Sequence, residues 1–171
     1  NKVEVEEILR NRLENYGFFY SRTTSFFNEK NKKANVVYSL KVPAPYKMAS
    51  YQVDSMVKPI YTAIKELTEK NPFPENMRFD LGNLKLERQR LDAALKQKGF
   101  YNFNPSFLIF EADTNQYKNK RFDLFLKMKA KVPRSATVPY QIKKINIYPD
   151  FDLKDSIKAK ENRTTNFLNI E

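Results

Sequence analysis

The sequence predicts an α+β fold of tandem small units, each a three-stranded mixed sheet covered by two helices in the order β-α-α-β-β. Three observations predict it. Helical apolar spacing runs twice into a glycine followed by two aromatic residues, at Gly17-Phe18-Phe19 and Gly99-Phe100-Tyr101. A pair of strand patterns separated by a polar stretch follows each glycine. A further strand pattern then starts at Tyr46 and again at Tyr140, with the same break of phase.

The first helix is written by Val5, Ile8, Leu9, Leu13 and Tyr16, whose spacings of three, four and seven make one apolar face. Glu4, Glu6 and Glu7 suit the positive end of its dipole. Gly17 stands where a left-handed residue closes a helix at least cost. Residues 22–27 are a strand candidate and residues 28–33 a polar hairpin loop. On the returning strand Val36, Tyr38, Leu40 and Val42 face one way, toward an expected core. Val37, Ser39 and Lys41 face the other.

After a proline-containing linker, apolar Tyr46, Met48, Tyr51 and Val53 break strict alternation once. Tyr140, Ile142, Ile145 and Ile147 break it at the same place, which predicts a β-bulge built into the repeat. Ile60, Ile64 and Leu67 mark a short helix led by Pro59 and stopped at Asn71-Pro72. Asp80 is an N-cap for a longer helix, with Asn83 as the competing choice. Its apolar face is Leu84, Leu91, Ala94 and Leu95. Leu9, Leu13 and Gly17 recur at one constant offset as Leu91, Leu95 and Gly99.

Residues 106–112 form the next strand candidate, and a polar loop follows. Phe122, Leu124, Leu126, Met128, Ala130 and Val132 then face inward, against Arg121, Asp123, Phe125, Lys127, Lys129 and Lys131 outward. The organisation expected is a partial unit at 1–45 lacking its first strand and first helix, a complete unit at 46–139, and the first strand of a third unit plus loop at 140–171.

Composition bounds the chemistry. The chain has 171 residues, 41% of them hydrophobic, and a net charge of +11, with no His, Cys or Trp. A Ser-His-Asp or Cys-His nucleophile, a Cys/His zinc site and a thiol redox pair are therefore excluded. No apolar run approaches the roughly 20 residues that span a bilayer as a helix. The opening residues read as the middle of a domain, so the chain is expected to be part of something longer.

The repeat resembles the POTRA domain. The stretch from Phe79 to Tyr148, FDLGNLKLERQRLDAALKQKGFYNF…FEADT…KRFDLFLKMK…YQIKKINIY, is similar to the polypeptide-transport modules of the BamA/TamA family of outer-membrane assembly proteins. The ERQRL…GFYNF…FEADT run resembles the TamA-like branch found in Bacteroidetes. The resemblance implies a periplasmic arm that precedes an outer-membrane β-barrel. It also implies partners: client β-barrel polypeptides, assembly-complex subunits and the parent's own barrel.

In that arrangement the second strand of a unit lies at the sheet edge, where unpaired N–H and C=O groups can template another strand. The expected partner-binding residues are Ser106, Phe107, Leu108, Ile109 and Phe110, with Ser25, Phe26 and Phe27 in the other copy; Gly17 and Gly99 are structural. The expected mechanism is β-augmentation, which holds an extended segment through backbone bonds and reads few side chains.

No catalytic, cofactor or metal residues are expected. Glu111 and Asp113 read as solvated or turn-capping carboxylates, and Asp150 and Asp152 as a turn. The basic strand face of Arg121, Lys127, Lys129 and Lys131 suits either a solvated surface or an anionic membrane surface. The alternative function is a basic nucleic-acid-binding module. Lys98–Phe103, KGFYNF, is its nearest motif, and it departs from the RNA-recognition signature at Tyr101 and Asn102. Nucleic acid is not the expected partner.

Overall fold

A computed structural model describes residues 2–145, and one compact body runs through Gln141. Its elements are α1 (Lys2–Asn15), β1 (Arg22–Lys30), β2 (Lys33–Lys41), β3 (Lys47–Val53), α2 (Ile60–Lys70), α3 (Leu81–Gln97), β4 (Leu108–Asp113) and β5 (Arg121–Met128). From β3 onward the order is β-α-α-β-β. The sheet order is β3-β5-β4, with β3 parallel and β4 antiparallel to the central β5. β1 and β2 form a separate antiparallel pair.

The expected tandem reduces to a single closed unit among the described residues. Residues 140–145 carry no regular secondary structure, and the rest of the expected third strand lies outside the described residues. Asp150 and Asp152 lie outside them as well.

The closed unit follows its sequence signals. Asp80 caps α3, its carboxylate accepting from the N–H groups of Gly82 at 2.8 Å and Asn83 at 3.3 Å. Leu84, Leu91 and Leu95 face the sheet and are buried. Ile60 and Ile64 of α2 meet Leu91 and Leu95, together with Leu126, Leu108, Phe100 and Phe103, while Leu84 packs with Met48, Phe122 and Leu124. The register of β3 on β5 shifts between Met48 and Ser50, the bulge that the broken alternation predicts. Phe122, Leu124 and Leu126 point inward and are buried, as alternation requires. The strand ends at Met128, so Lys129 and Lys131 do not extend its outer face as expected.

Gly17 and Gly99 stand in like surroundings. Each closes a helix with a pair of backbone bonds: Gly17 N–H to Glu14 and Phe18 N–H to Leu13, then Gly99 N–H to Lys96 and Phe100 N–H to Leu95. This is a Schellman closure, and φ is +83° and +90° at the two glycines. Each glycine carbonyl accepts from the first residue of the following segment, Tyr46 at 2.9 Å and Tyr140 at 2.7 Å. A Cβ would meet backbone in both places: Phe79 O at 2.9 Å for Gly17, Tyr140 O at 2.6 Å for Gly99.

The N-terminal helix and hairpin depart from expectation in burial. α1 buries no residue fully. On the inner hairpin face Val36 and Leu40 remain 39% and 43% exposed, and Val42 is exposed too. Alternation says which side a residue takes, but burial needs something to cover that side. Among the described elements α1 packs on β1, and on this face Thr23, Ser25 and Tyr38 are half-buried. The hairpin loop is also tighter than expected. β1 runs to Lys30, and Asn31 and Lys32, with φ of +52° and +60°, make a two-residue turn.

Candidate functional site: the open edge of strand β4

β4 lies at one edge of the three-stranded sheet. Its register on β5 decides which backbone groups are free. Lys129 N–H donates to Phe107 O, which makes Phe107 and Lys129 a bonded pair. By antiparallel alternation Ile109, Glu111 and Asp113 then bond to β5, while Leu108, Phe110 and Ala112 turn their N–H and C=O outward. Leu108 is already satisfied, because its N–H reaches Pro105 O and its carbonyl accepts from the Arg88 guanidinium at 3.2 Å. The open edge therefore comes down to Phe110 and Ala112.

A shallow groove of about 180 Å3 runs beside this edge. Phe79, Leu84, Phe110 and Leu124 line its apolar part, and Lys85 and Arg88 of α3 add cationic heads. On the opposite sheet face, Lys127 bonds Glu111 at 2.7 Å and lies 3.6 Å from Asp54. That hydrogen bond raises the Lys127 pKa. Asp113 accepts from Asn115 N–H and so caps the turn.

The expected edge residues separate here. Leu108, Ile109 and Phe110 lie on β4, with Leu108 fully buried. Ser106 and Phe107 do not. Asn104 accepts from Ser106 N–H, and Pro105 starts a short 3-10 turn through Phe107, so the strand begins two residues later than expected. Ser25, Phe26 and Phe27 lie on β1, whose second edge is open, but no described element closes a sheet around them. Of the expected basic face, Lys127 is paired with the Glu111 and Asp54 carboxylates, while Arg121 donates to the neutral Asn76 side chain and Met48 carbonyl and keeps its charge.

Sequence reasoning missed two features. The first is the use of Arg88 and Lys85 beside the edge; their place on α3 near Leu84 was available as a signal. The second is a larger groove of about 480 Å3 between β3 and α2, lined by Tyr51, Val53, Thr68 and Phe73 among others. β3's own edge is partly closed, since Met48 N–H donates to Met77 O and Phe79 N–H to Tyr46 O. Tyr51 Oη is buried above this groove without a hydrogen-bond partner. Burial, and then the Glu87 carboxylate, push its pKa up.

Among the described residues there is no cluster of metal-ligating side chains and no helix long and apolar enough to cross a membrane. No family model and no curated protein matches the chain. Similar solved structures include BamA from Haemophilus ducreyi lacking POTRA domains 1–3. It is 15% identical with a TM-score of 0.45, over 74% of this chain and 22% of that one. Another is Haemophilus influenzae BamA POTRA3-5, 16% identical with a TM-score of 0.44, over 73% of this chain and 48% of that one. The chain thus spans less than half the length of either.

Proposed function

We propose that this chain is part of a periplasmic arm of an outer-membrane β-barrel assembly or translocation protein, and that it docks an extended client or partner segment by β-augmentation on β4. Residues 1–45 are the helix and hairpin of a second unit, 46–139 are a complete unit, and the sequence from Tyr140 opens a third. The POTRA resemblance of the sequence and the β-α-α-β-β order support the class. The TamA-like branch is the preferred placement within it. No catalytic role is assigned to any residue.

The observation that carries the mechanism is the open edge at Phe110 and Ala112, with an apolar groove beside it. An incoming strand gains backbone bonds at both residues, and one of its side chains enters the groove over Leu84 and Phe79. The cationic rim of Lys85 and Arg88 favours a segment carrying a carboxylate at that level.

The test is Ala112→Pro in the full-length polypeptide. Ala112 N–H points away from β5, so proline removes an edge donor without removing a bond of the sheet. Outer-membrane β-barrel assembly is expected to fall while circular dichroism of the chain stays unchanged. Undiminished assembly with a folded variant contradicts strand addition at β4.

A further inference from the structure

The outer face of the β1–β2 hairpin carries charge of one sign. The register pairs Arg22 with Lys41, Thr24 with Ser39, Phe26 with Val37, Asn28 with Asn35 and Lys30 with Lys33. Cross-strand partners share a face; α1 packs against β1, and the half-buried residues Thr23, Ser25 and Tyr38 all lie on the other face. Four cations therefore stand in two pairs at the ends of this face, roughly 27 Å apart at strand rise. The only acidic residue of either strand, Glu29, pairs with Ala34 and lies on the inner face. Among the described residues none of Arg22, Lys30, Lys33 and Lys41 has an ion pair. The outer face of β5 is different, because carboxylates hold Lys127 there.

Between the two cation pairs sit Phe26 and Val37, 64% and 61% exposed. An apolar pair flanked by unpaired cations is the pattern of a surface that rests at the headgroup level of an anionic bilayer. Cations meet phosphates there, and a small apolar group enters the acyl boundary. A headgroup layer needs no pocket, and neither groove described above reaches the hairpin. Single-stranded nucleic acid asks for successive exposed rings, and this face has one.

We propose that the outer face of β1–β2 docks on an anionic lipid surface through Arg22, Lys30, Lys33 and Lys41, with Phe26 and Val37 entering the interface. This surface is separate from the β4 edge, and it stands whether or not strand addition occurs there.

The test uses the 171-residue chain and vesicles of phosphatidylcholine with or without phosphatidylglycerol. Binding is expected only with phosphatidylglycerol, and it should weaken with salt. A variant with Arg22→Gln, Lys30→Gln, Lys33→Gln and Lys41→Gln should lose about fivefold in partitioning per cation, more than about a hundredfold in all. A control with Lys58→Gln, Lys70→Gln, Lys118→Gln and Lys120→Gln has the same net charge and should stay within about threefold of the parent chain. The chain has no Trp, so Phe26→Trp introduces a single reporter, and its emission should shift to the blue on anionic vesicles. Equal losses in the two fourfold variants, or an indole emission that does not move in the Phe26→Trp chain, would overturn the proposal. So would tighter binding of a single-stranded RNA with the same dependence on the four cations.

Discussion

The helix–hairpin of residues 2–41 and the closed unit that follows it use the same parts to different ends. Both have a helix ending in a Schellman glycine, and both then build an antiparallel strand pair. In the closed unit the inner-face residues Leu124 and Leu126 are fully buried. In the hairpin the corresponding side keeps Val36, Leu40 and Val42 exposed. Two causes are visible. The closed unit has β3 and α2 to complete its layer, and the hairpin has no counterpart among the described residues. The inner face of β1 is also partly hydroxylic, carrying Thr23 and Ser25, whereas β4 carries Leu108 and Phe110 on its inner face. The hydroxyl oxygens of Thr23 and Ser25 are both buried without a partner. A shared local code thus builds the same elements twice, and the cover decides whether they become a core.

The comparison breaks most sharply at matched leucines. Leu13 and Leu95 hold the same place in their helices, each accepting from the residue after the glycine. Leu95 is fully buried and Leu13 only half-buried. Leu95→Ala should cost about 2–5 kcal/mol in urea unfolding, and Leu13→Ala about 1 kcal/mol. Equal costs would mean that the hairpin helix is as well covered as α3.

A smaller effect sharpens the closed side. Tyr51 is inside the unit with its hydroxyl unpartnered, so Tyr51→Phe should leave stability at neutral pH within about 1 kcal/mol or raise it. Its folded pKa lies above the ordinary 10.0. Above that pH the unfolded chain releases the proton while the folded chain keeps it, so stability falls as pH rises. Tyr51→Phe removes this contribution, and its melting temperature should fall less steeply above pH 10 than that of the parent chain. Parallel curves would place the hydroxyl in contact with water.

Much of the closed unit is legible in the sequence. The Asp80 cap, the Gly99 closure, the bulge in β3 and the inner face of β5 each follow from a residue type at a definite spacing. The small and apolar character of Ser106 and Phe107 fits a strand, while Asn104-Pro105 sets a 3-10 turn there first. The hairpin's burial was not legible, since alternation is silent about cover. Nor was the outer hairpin face, whose character depends on cross-strand register. The Glu87–Arg90 pair, 2.7 Å apart on the buried side of α3, carried no warning in the helical period. The candidate edge was legible as a segment, but its two free residues needed the register.

Amide hydrogen exchange read residue by residue tests strand addition most directly. In the free chain Ile109 and Glu111, bonded to β5, should exchange slowly, and Phe110 and Ala112 quickly. Adding an extended peptide taken from a β-barrel strand should slow Phe110 and Ala112 and leave the β3 amides unchanged. If those two amides keep their free rates while the peptide binds, or if protection arises along β3 instead, the β4 edge is not where an extended segment adds.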